Sequence, residues 1–205
     1  YDWAKDELEE IGKTIREKSD YMLHLIEDFS LSFQLKNGTN QLQFETVEVS
    51  GFIEGVLGKF ERDRIIKDYP IAFVPLGNTH YLQINKRLFE RMLDNLIYNA
   101  MNHNPPGTRV EVLLDEIDDK SKMKIVVKDN GIGMDEATKK HLFDRYYRGT
   151  NTDEQVEGTG LGMSIALQIA KLHSGEITVE SSENIGTEIT IILPGHGDRH
   201  GRPTA

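Results

Sequence analysis

Met123-Lys124-Ile125-Val126-Val127-Lys128-Asp129-Asn130-Gly131-Ile132-Gly133-Met134 is the stretch whose reading decides the fold. Its first half is an apolar, β-branched run bounded by charge, which predicts a strand over Met123 to Lys128. Its second half delivers a carboxylate into a tight glycine turn. Such a turn can be a plain Asp-Asn-Gly hairpin. It can equally offer Asp129 to a hydrogen-bond donor such as an exocyclic amine, with Gly131 and Gly133 letting backbone approach a flat ring. The residues of this stretch alone leave both readings open.

Upstream, Val110 to Ile117 reads as a second strand, joined to the first through Asp118-Asp119-Lys120. Before it lies a helix predicted from Lys86 to about His103, apolar at Leu88, Met92, Leu93, Leu96, Ile97 and Ala100, and stopped by Pro105-Pro106-Gly107. That helix ends in Asn95-Leu96-Ile97-Tyr98-Asn99-Ala100-Met101-Asn102-His103-Asn104. Asn95 and Asn99 are four apart and share a face. Amides bordering the core side need polar partners if buried. A carboxamide oxygen suits one ligand position of Mg2+, which takes the rest from phosphate and water. Two asparagines on the solvent side are the plainer alternative. Farther back, the pattern predicts strands at Ile71 to Leu76 and Tyr81 to Ile84 around a Gly77-Asn78 turn. A helix capped by Ser50 runs to about Ile66, and a strand holds Leu42, Phe44 and Thr46.

Downstream, a short helix from Asp135 to about Tyr147 ends in Phe143-Asp144-Arg145-Tyr146-Tyr147-Arg148. Aromatic groups and a guanidinium there can flank a lid and meet phosphate; a half-buried aromatic helix end is the alternative. Gly149 to Gly160 is polar without periodicity and reads as that lid. Gly158-Thr159-Gly160-Leu161-Gly162-Met163 then opens a helix to about His173, and a helix N-terminus suits phosphate. It is no dinucleotide fingerprint, because Met163 stands where the third glycine belongs and Asp153 to Glu157 is no buried strand. It is no P-loop either, because no Gly-Lys-Ser or Gly-Lys-Thr follows. Ile177 to Glu180 and Thr187 to Leu193 close the pattern as a hairpin, and Gly195 to Ala205 reads as a disordered tail. Helices and strands in this order predict an α/β two-layer sandwich, with three main helices on one face of a mixed β-sheet.

A long helix precedes it. From residue 1 to about 36, Leu8, Ile11, Ile15, Lys18, Met22, Leu25, Phe29 and Ser32 form a heptad seam, apolar at six of eight positions. A helix roughly 50 Å long with so narrow a stripe needs a partner helix, unless it packs on its own domain. The 205 residues carry 24 basic and 34 acidic side chains, a net charge of −10, which argues against a non-specific nucleic-acid binder. Zero cysteines exclude a disulfide scaffold, a thiolate nucleophile and a Cys-based zinc site. No run approaches eighteen apolar residues, so no membrane-spanning segment is in view.

The joint order is far more specific than any one motif. Paired-Asn helix, Asp-Gly-Gly turn, aromatic-Arg element, polar stretch, glycine turn into a helix and Gly186-Thr187 together resemble the ATP-binding domain of sensor histidine kinases, in the gyrase, heat-shock chaperone, histidine kinase and MutL superfamily. The resemblance covers about residues 5 to 194. Asn95 to Asn104 looks like the N box, Asp129 to Gly133 the first glycine box, Phe143 to Arg148 the F box, and Gly158 to Gly162 the second glycine box. Leu25 to Gly38 resembles the end of the second dimerisation helix. The resemblance implies three segments: residues 1–38 from an incomplete dimerisation region, 39–194 as the Bergerat-type ATP-binding domain, and 195–205 as the tail.

It also implies roles. Asn99 would hold Mg2+, Asp129 would bind the adenine amine, and Arg148 would touch the terminal phosphate, with Asn95, Asn99 and Arg148 as the catalytic set. ATP would be held further by Asn102, His103, Gly131, Ile132, Gly133, Met134, Phe143, Tyr147, Gly158, Thr159, Gly160, Leu161, Gly162 and Thr187. His103 and Asn102 depart from the Tyr and the Lys or Arg common in the family. The implied partners are a response regulator receiver domain and a second copy in a homodimer, with no nucleic acid. The implied location is the cytoplasmic side of a bacterial membrane protein. Superfamily members that hydrolyse ATP generally carry Glu where this chain has Asn95, so phosphoryl transfer is expected in place of hydrolysis. None of the seven histidines precedes Asp or Glu, so the acceptor histidine is expected outside this sequence, without self-phosphorylation. A regulatory nucleotide-binding module with degenerate catalysis, an anti-sigma-type protein kinase and a hydrolytic ATPase are the alternatives.

Overall fold

The computed structural model describes residues 5–37, 42–60, 68–76, 81–118, 121–147 and 159–195. The elements run α1 (Lys5–Asn37), β1 (Glu45–Glu48), α2 (Val49–Phe60), β2 (Ile71–Pro75), β3 (Tyr81–Ile84), α3 (Lys86–Asn102), β4 (Val110–Ile117), β5 (Lys122–Asp129), α4 (Glu136–His141), α5 (Gly162–Leu172), β6 (Glu176–Ser182) and β7 (Gly186–Pro194). Five strands form one sheet in the order β2-β4-β5-β7-β6, and β1 pairs with β3 as a separate antiparallel ribbon. Only the β2–β4 pairing in the large sheet is parallel, which makes it mixed. The expected α/β sandwich is the observed architecture.

Period-two alternation decides what faces the helices. Val110, Val112 and Leu114 of β4, Met123, Ile125 and Val127 of β5, and Ile189, Ile191 and Leu193 of β7 are buried. The same parity puts Asp129 at the end of β5 and Thr187 at the start of β7 on this covered face, where the two are register partners. Helix α3 buries Leu88, Phe89, Met92, Leu93, Leu96, Ile97, Ala100 and Met101 against it, and α5 buries Ile165, Ala166, Ile169 and Ala170. His173 fastens the end of α5 to the start of α3. Its Nε2 accepts the Asn85 backbone N–H at 3.1 Å, and its Nδ1 pairs with the Ile169 carbonyl at 2.8 Å. The rings of Phe44 and Phe89 stand edge-on to it at 5.2 and 5.6 Å. Burial pushes its pKa below the ordinary histidine value, so the imidazole is held neutral.

Several expectations shift. Glu48, not Ser50, caps α2: its carboxylate accepts the Ser50 and Gly51 N–H groups at 3.0 and 2.7 Å. The short helix stops at His141, and the chain turns on to Tyr147 because Tyr146 takes a positive φ of 63° and donates its N–H to the Gly160 carbonyl at 2.8 Å. The seam of α1 is uncovered over most of its length. Leu8, Ile11, Ile15, Met22 and Phe29 are exposed, but near the C-terminal end the apolar stripe continues through Ile26 and Phe33. Asp28 and Ser32 turn inward and are buried, with Leu31 packed beside the core. The end of α1 therefore leans on this domain, and the apolar stripe above it does not. The Gly38 stop, the Gly77-Asn78 turn, the last residues of the helix expected to reach Ile66, and residues 196–205 of the expected tail lie outside the described residues.

Candidate functional site

At one end of the site, Asp129 is 6% exposed. Its carboxylate accepts the Gly131 N–H at 2.9 Å, with the Thr187 backbone and the Asn104 side chain close by. Burial dominates and raises its pKa above the ordinary aspartate value, with those three donors opposing the rise. Gly133 sits at φ +67°, and a Cβ there would lie 2.0 Å from the Ser182 carbonyl oxygen, so only glycine fits. Behind the turn, Ser181 Oγ accepts the Met134 N–H at 2.9 Å, donates to the Gly186 carbonyl at 2.9 Å, and lies 3.0 Å from Thr187 Oγ1. Ile132 is exposed at the rim. A groove of about 310 Å3 lined by Pro70, Gly107, Arg109, Glu111, Lys128, Asp129 and Asn130 runs along this edge. Of those lining residues, only Asp129 belongs to the set predicted from sequence.

The other end lies between the middle of α3 and the start of α5. Asn95 Nδ2 donates to the Gly162 carbonyl at 3.0 Å, joining the two helices. Asn99, one turn on, is half-buried, and no hydrogen bond engages its side chain among the described residues. An uncommitted carboxamide of this kind fits a single Mg2+ ligand. The described residues hold no group of three or more acidic or histidine side chains that could cage the ion, so its remaining positions would have to come from phosphate and water. Among the described residues no side chain caps the N-terminus of α5, which leaves its first N–H groups for an anion. Leu161 is different from expectation in its side chain, which is buried in the core; its N–H is taken by Thr159 Oγ1 at 2.9 Å.

Thr159 also donates to Asp28 of α1 at 3.3 Å, and Asp28 is ion-paired with Arg91 of α3. Gly160, at φ +66°, receives Tyr146, so the aromatic element is tied to the glycine turn. Phe143 packs beside the core, and the Tyr147 ring lies 5.3 Å from His141. Asn102 and His103 are exposed at the end of α3. Arg148, Gly158 and the expected lid between them lie outside the described residues.

The structure thus brings Asp129, Gly131, Ile132, Gly133, Met134 and Thr187 together at one end, and Asn95 with Thr159 to Gly162 at the other, with α3 running between. Sequence reasoning passed over Asn104, Ser181, and the Asp28–Arg91 pair. Asn104 stood inside the quoted run, and its position between a helix end and a proline was the available signal. Nothing local marks Asp28 or Ser181.

The model of the histidine kinase-, DNA gyrase B- and HSP90-like ATPases matches residues 84–197. The sensor histidine kinase YvrG of Bacillus subtilis (strain 168) is 43% identical over 193 residues, covering 94% of this chain and 33% of the relative. The chain spans about a third of the length of the curated relatives it matches. Among solved structures, the mycobacterial sensor histidine kinase MprB superposes with a TM-score of 0.65 at 28% identity, over 74% of this chain and 98% of that one. Full-length ShkA, solved in complex with AMPPNP, gives a TM-score of 0.76 at 19% identity, over 95% of this chain and 40% of that one, a likeness of fold.

Proposed function

The chain belongs to the histidine kinase-, DNA gyrase B- and HSP90-like ATPase family as an ATP-binding domain of the sensor histidine kinase type, and from that premise we propose that it binds Mg-ATP and passes the γ-phosphoryl group to a histidine on a dimerisation helix. One observation carries this reading. A buried carboxylate suited to an amine sits near the C-terminal end of α3 and a helix N-terminus suited to phosphate at its middle, and between them α3 bears the Asn99 amide, which no hydrogen bond engages among the described residues.

In this reading Asp129 accepts the adenine amine, and the glycine turn from Gly131 to Gly133 lies along the ring. The first N–H groups of α5 receive phosphate oxygens, Arg148 would touch the terminal phosphate, and Gly158 would help bind the phosphate chain. Asn99 would hold Mg2+, which supplies charge neutralisation on the phosphates when bound. In the transfer, a bond forms from imidazole nitrogen to the γ-phosphorus, the bond to the bridging oxygen breaks, and ADP leaves. The domain's share of catalysis is positioning and electrostatics. Asn95 cannot take a proton from water at neutral pH, and its amide is already given to Gly162, so hydrolysis is disfavoured. Relay of the phosphoryl group to a receiver-domain aspartate, homodimer formation through the helix carrying Leu8, Ile11 and Ile15, and attachment of the whole protein to a membrane belong to the same proposal. Among the described residues no helix is long and apolar enough to cross a membrane.

Calorimetric titration with a non-hydrolysable ATP analogue tests the reading. Wild type is expected to bind more tightly with Mg2+ than with a chelator, and Asn99→Ala to bind equally in both. Unchanged Mg2+ dependence in Asn99→Ala would remove the metal assignment, and absence of binding by wild type would remove the function.

A further inference from the structure

We propose that Asn104 is the positioning residue through which Asp129 discriminates a purine bearing a 6-amino group, an inference that rests on reading Asp129 as the base-binding carboxylate. Asn104 follows α3 and is held on its backbone by two bonds. Its N–H donates to the Met101 carbonyl at 3.1 Å, and its carbonyl accepts the Tyr69 hydroxyl at 2.8 Å. The side chain is then used at both ends. Nδ2 donates to the Ala100 carbonyl at 2.8 Å, and Oδ1 accepts the Ile132 N–H at 2.8 Å. The glycine turn that Asn104 pins reaches the carboxylate in its turn, because the Gly131 N–H donates to Asp129 Oδ1 at 2.9 Å. One amide therefore locks the last turn of α3, the glycine turn and the carboxylate together.

Gly131 is the counterpart of this arrangement. A Cβ on Gly131 would lie 1.8 Å from Asn104 Oδ1 and 2.1 Å from its Cγ, so the amide occupies the space a side chain would need. With Gly131 donating to it from a turn that Asn104 holds at Ile132, the carboxylate has little freedom to rotate. A flat base with one amine needs an acceptor fixed in direction as well as place. Removing Asn104 leaves Asp129 present and able to turn away.

The test compares binding of an ATP analogue with that of the analogue carrying hydrogen in place of the 6-amino group. Wild type is expected to prefer the amine by about tenfold or more. Asn104→Ala is expected to lose that preference to within about threefold, chiefly by weaker binding of the amino form. Asn104→Ser, which can still bond the Ala100 carbonyl while failing to reach Ile132, should lose it equally. Gly131→Ala should do more damage with Asn104 present than in the Asn104→Ala background, because the clash is with that amide. Equal weakening of both ligands in Asn104→Ala, or a preference kept in both variants, would overturn the positioning role. A wild type without preference would instead overturn the reading of Asp129 itself.

Discussion

At the Asp129 end, four separate segments meet through short hydrogen bonds: the end of β5, the glycine turn, the start of β7 and the residue after α3. At the Asn95 end, one amide-to-carbonyl bond joins α3 to α5, no hydrogen bond engages the Asn99 side chain among the described residues, and the glycine turn leans on a residue of the long helix. The first end is built before any ligand arrives; the second is held partly from outside the sandwich. A rigid, flat base rewards fixed acceptors, because any reorientation spends binding energy. A phosphate chain has soft torsions, and backbone N–H groups with a helix dipole can follow it. The division places discrimination at the stiff end and the reacting groups at the adjustable one.

Breaking the outside support should give the largest effect. Asp28 is buried, and Arg91, about a fifth exposed, is its counter-charge. Arg91→Met should strand that carboxylate and cost about 3 kcal/mol of unfolding free energy, the low side of the range for broken buried pairs because Arg91 still touches water. Urea unfolding of Asp28→Leu/Arg91→Met should recover most of the loss; if the double variant is no better than the single, the pair is not the reason.

The stiff end should respond with opposite signs in binding and stability. Asp129→Asn should weaken an ATP analogue by about tenfold to a hundredfold, the worth of a charged hydrogen bond to the base. Yet the Asp129 pKa is raised, so its charged form is the less comfortable one when folded. Such a group adds stability only below the ordinary aspartate pKa and loses it as pH rises through the raised value. At neutral pH the neutral amide should therefore raise the unfolding midpoint of the nucleotide-free protein. A fall in both affinity and stability would mean that the three donors outweigh the burial.

The same contrast explains what could be read from the sequence. The apolar run from Met123 to Lys128 already marked the strand that delivers the carboxylate into the glycine turn, and the i, i+4 spacing already aligned Asn95 with Asn99. Both are local patterns. The heptad pattern of α1 could not say which neighbour arrives: Asp28, off the seam, is polar in sequence but buried beside Arg91 of α3 and the Thr159 turn. Glu48 outcompeted Ser50 as a cap because a longer side chain reached back across two N–H groups. Asn104 was visible as a letter, but its partner Ile132 lies 28 residues away.

The smallest effect should come from the fastening beneath both ends. His173 is buried neutral, bonded to Asn85 and Ile169, with its pKa lowered by burial. The unfolded chain takes up a proton near pH 6.5 while the folded one resists it, so the stability it confers is present above that value and lost as pH falls toward the lower folded pKa. The slope from one such group is at most about 1.4 kcal/mol per pH unit. Unfolding measured from pH 8 to 5 should show this loss in wild type, and His173→Phe should be less stable at pH 8 but flatter by that slope. Because the imidazole hydrogen-bonds neither Asp129 nor Asn95, the difference in slope between the two proteins should be the same with and without an ATP analogue. A slope difference that changes with nucleotide would mean that the end of α5 is coupled to the site, and the two ends would then share one support.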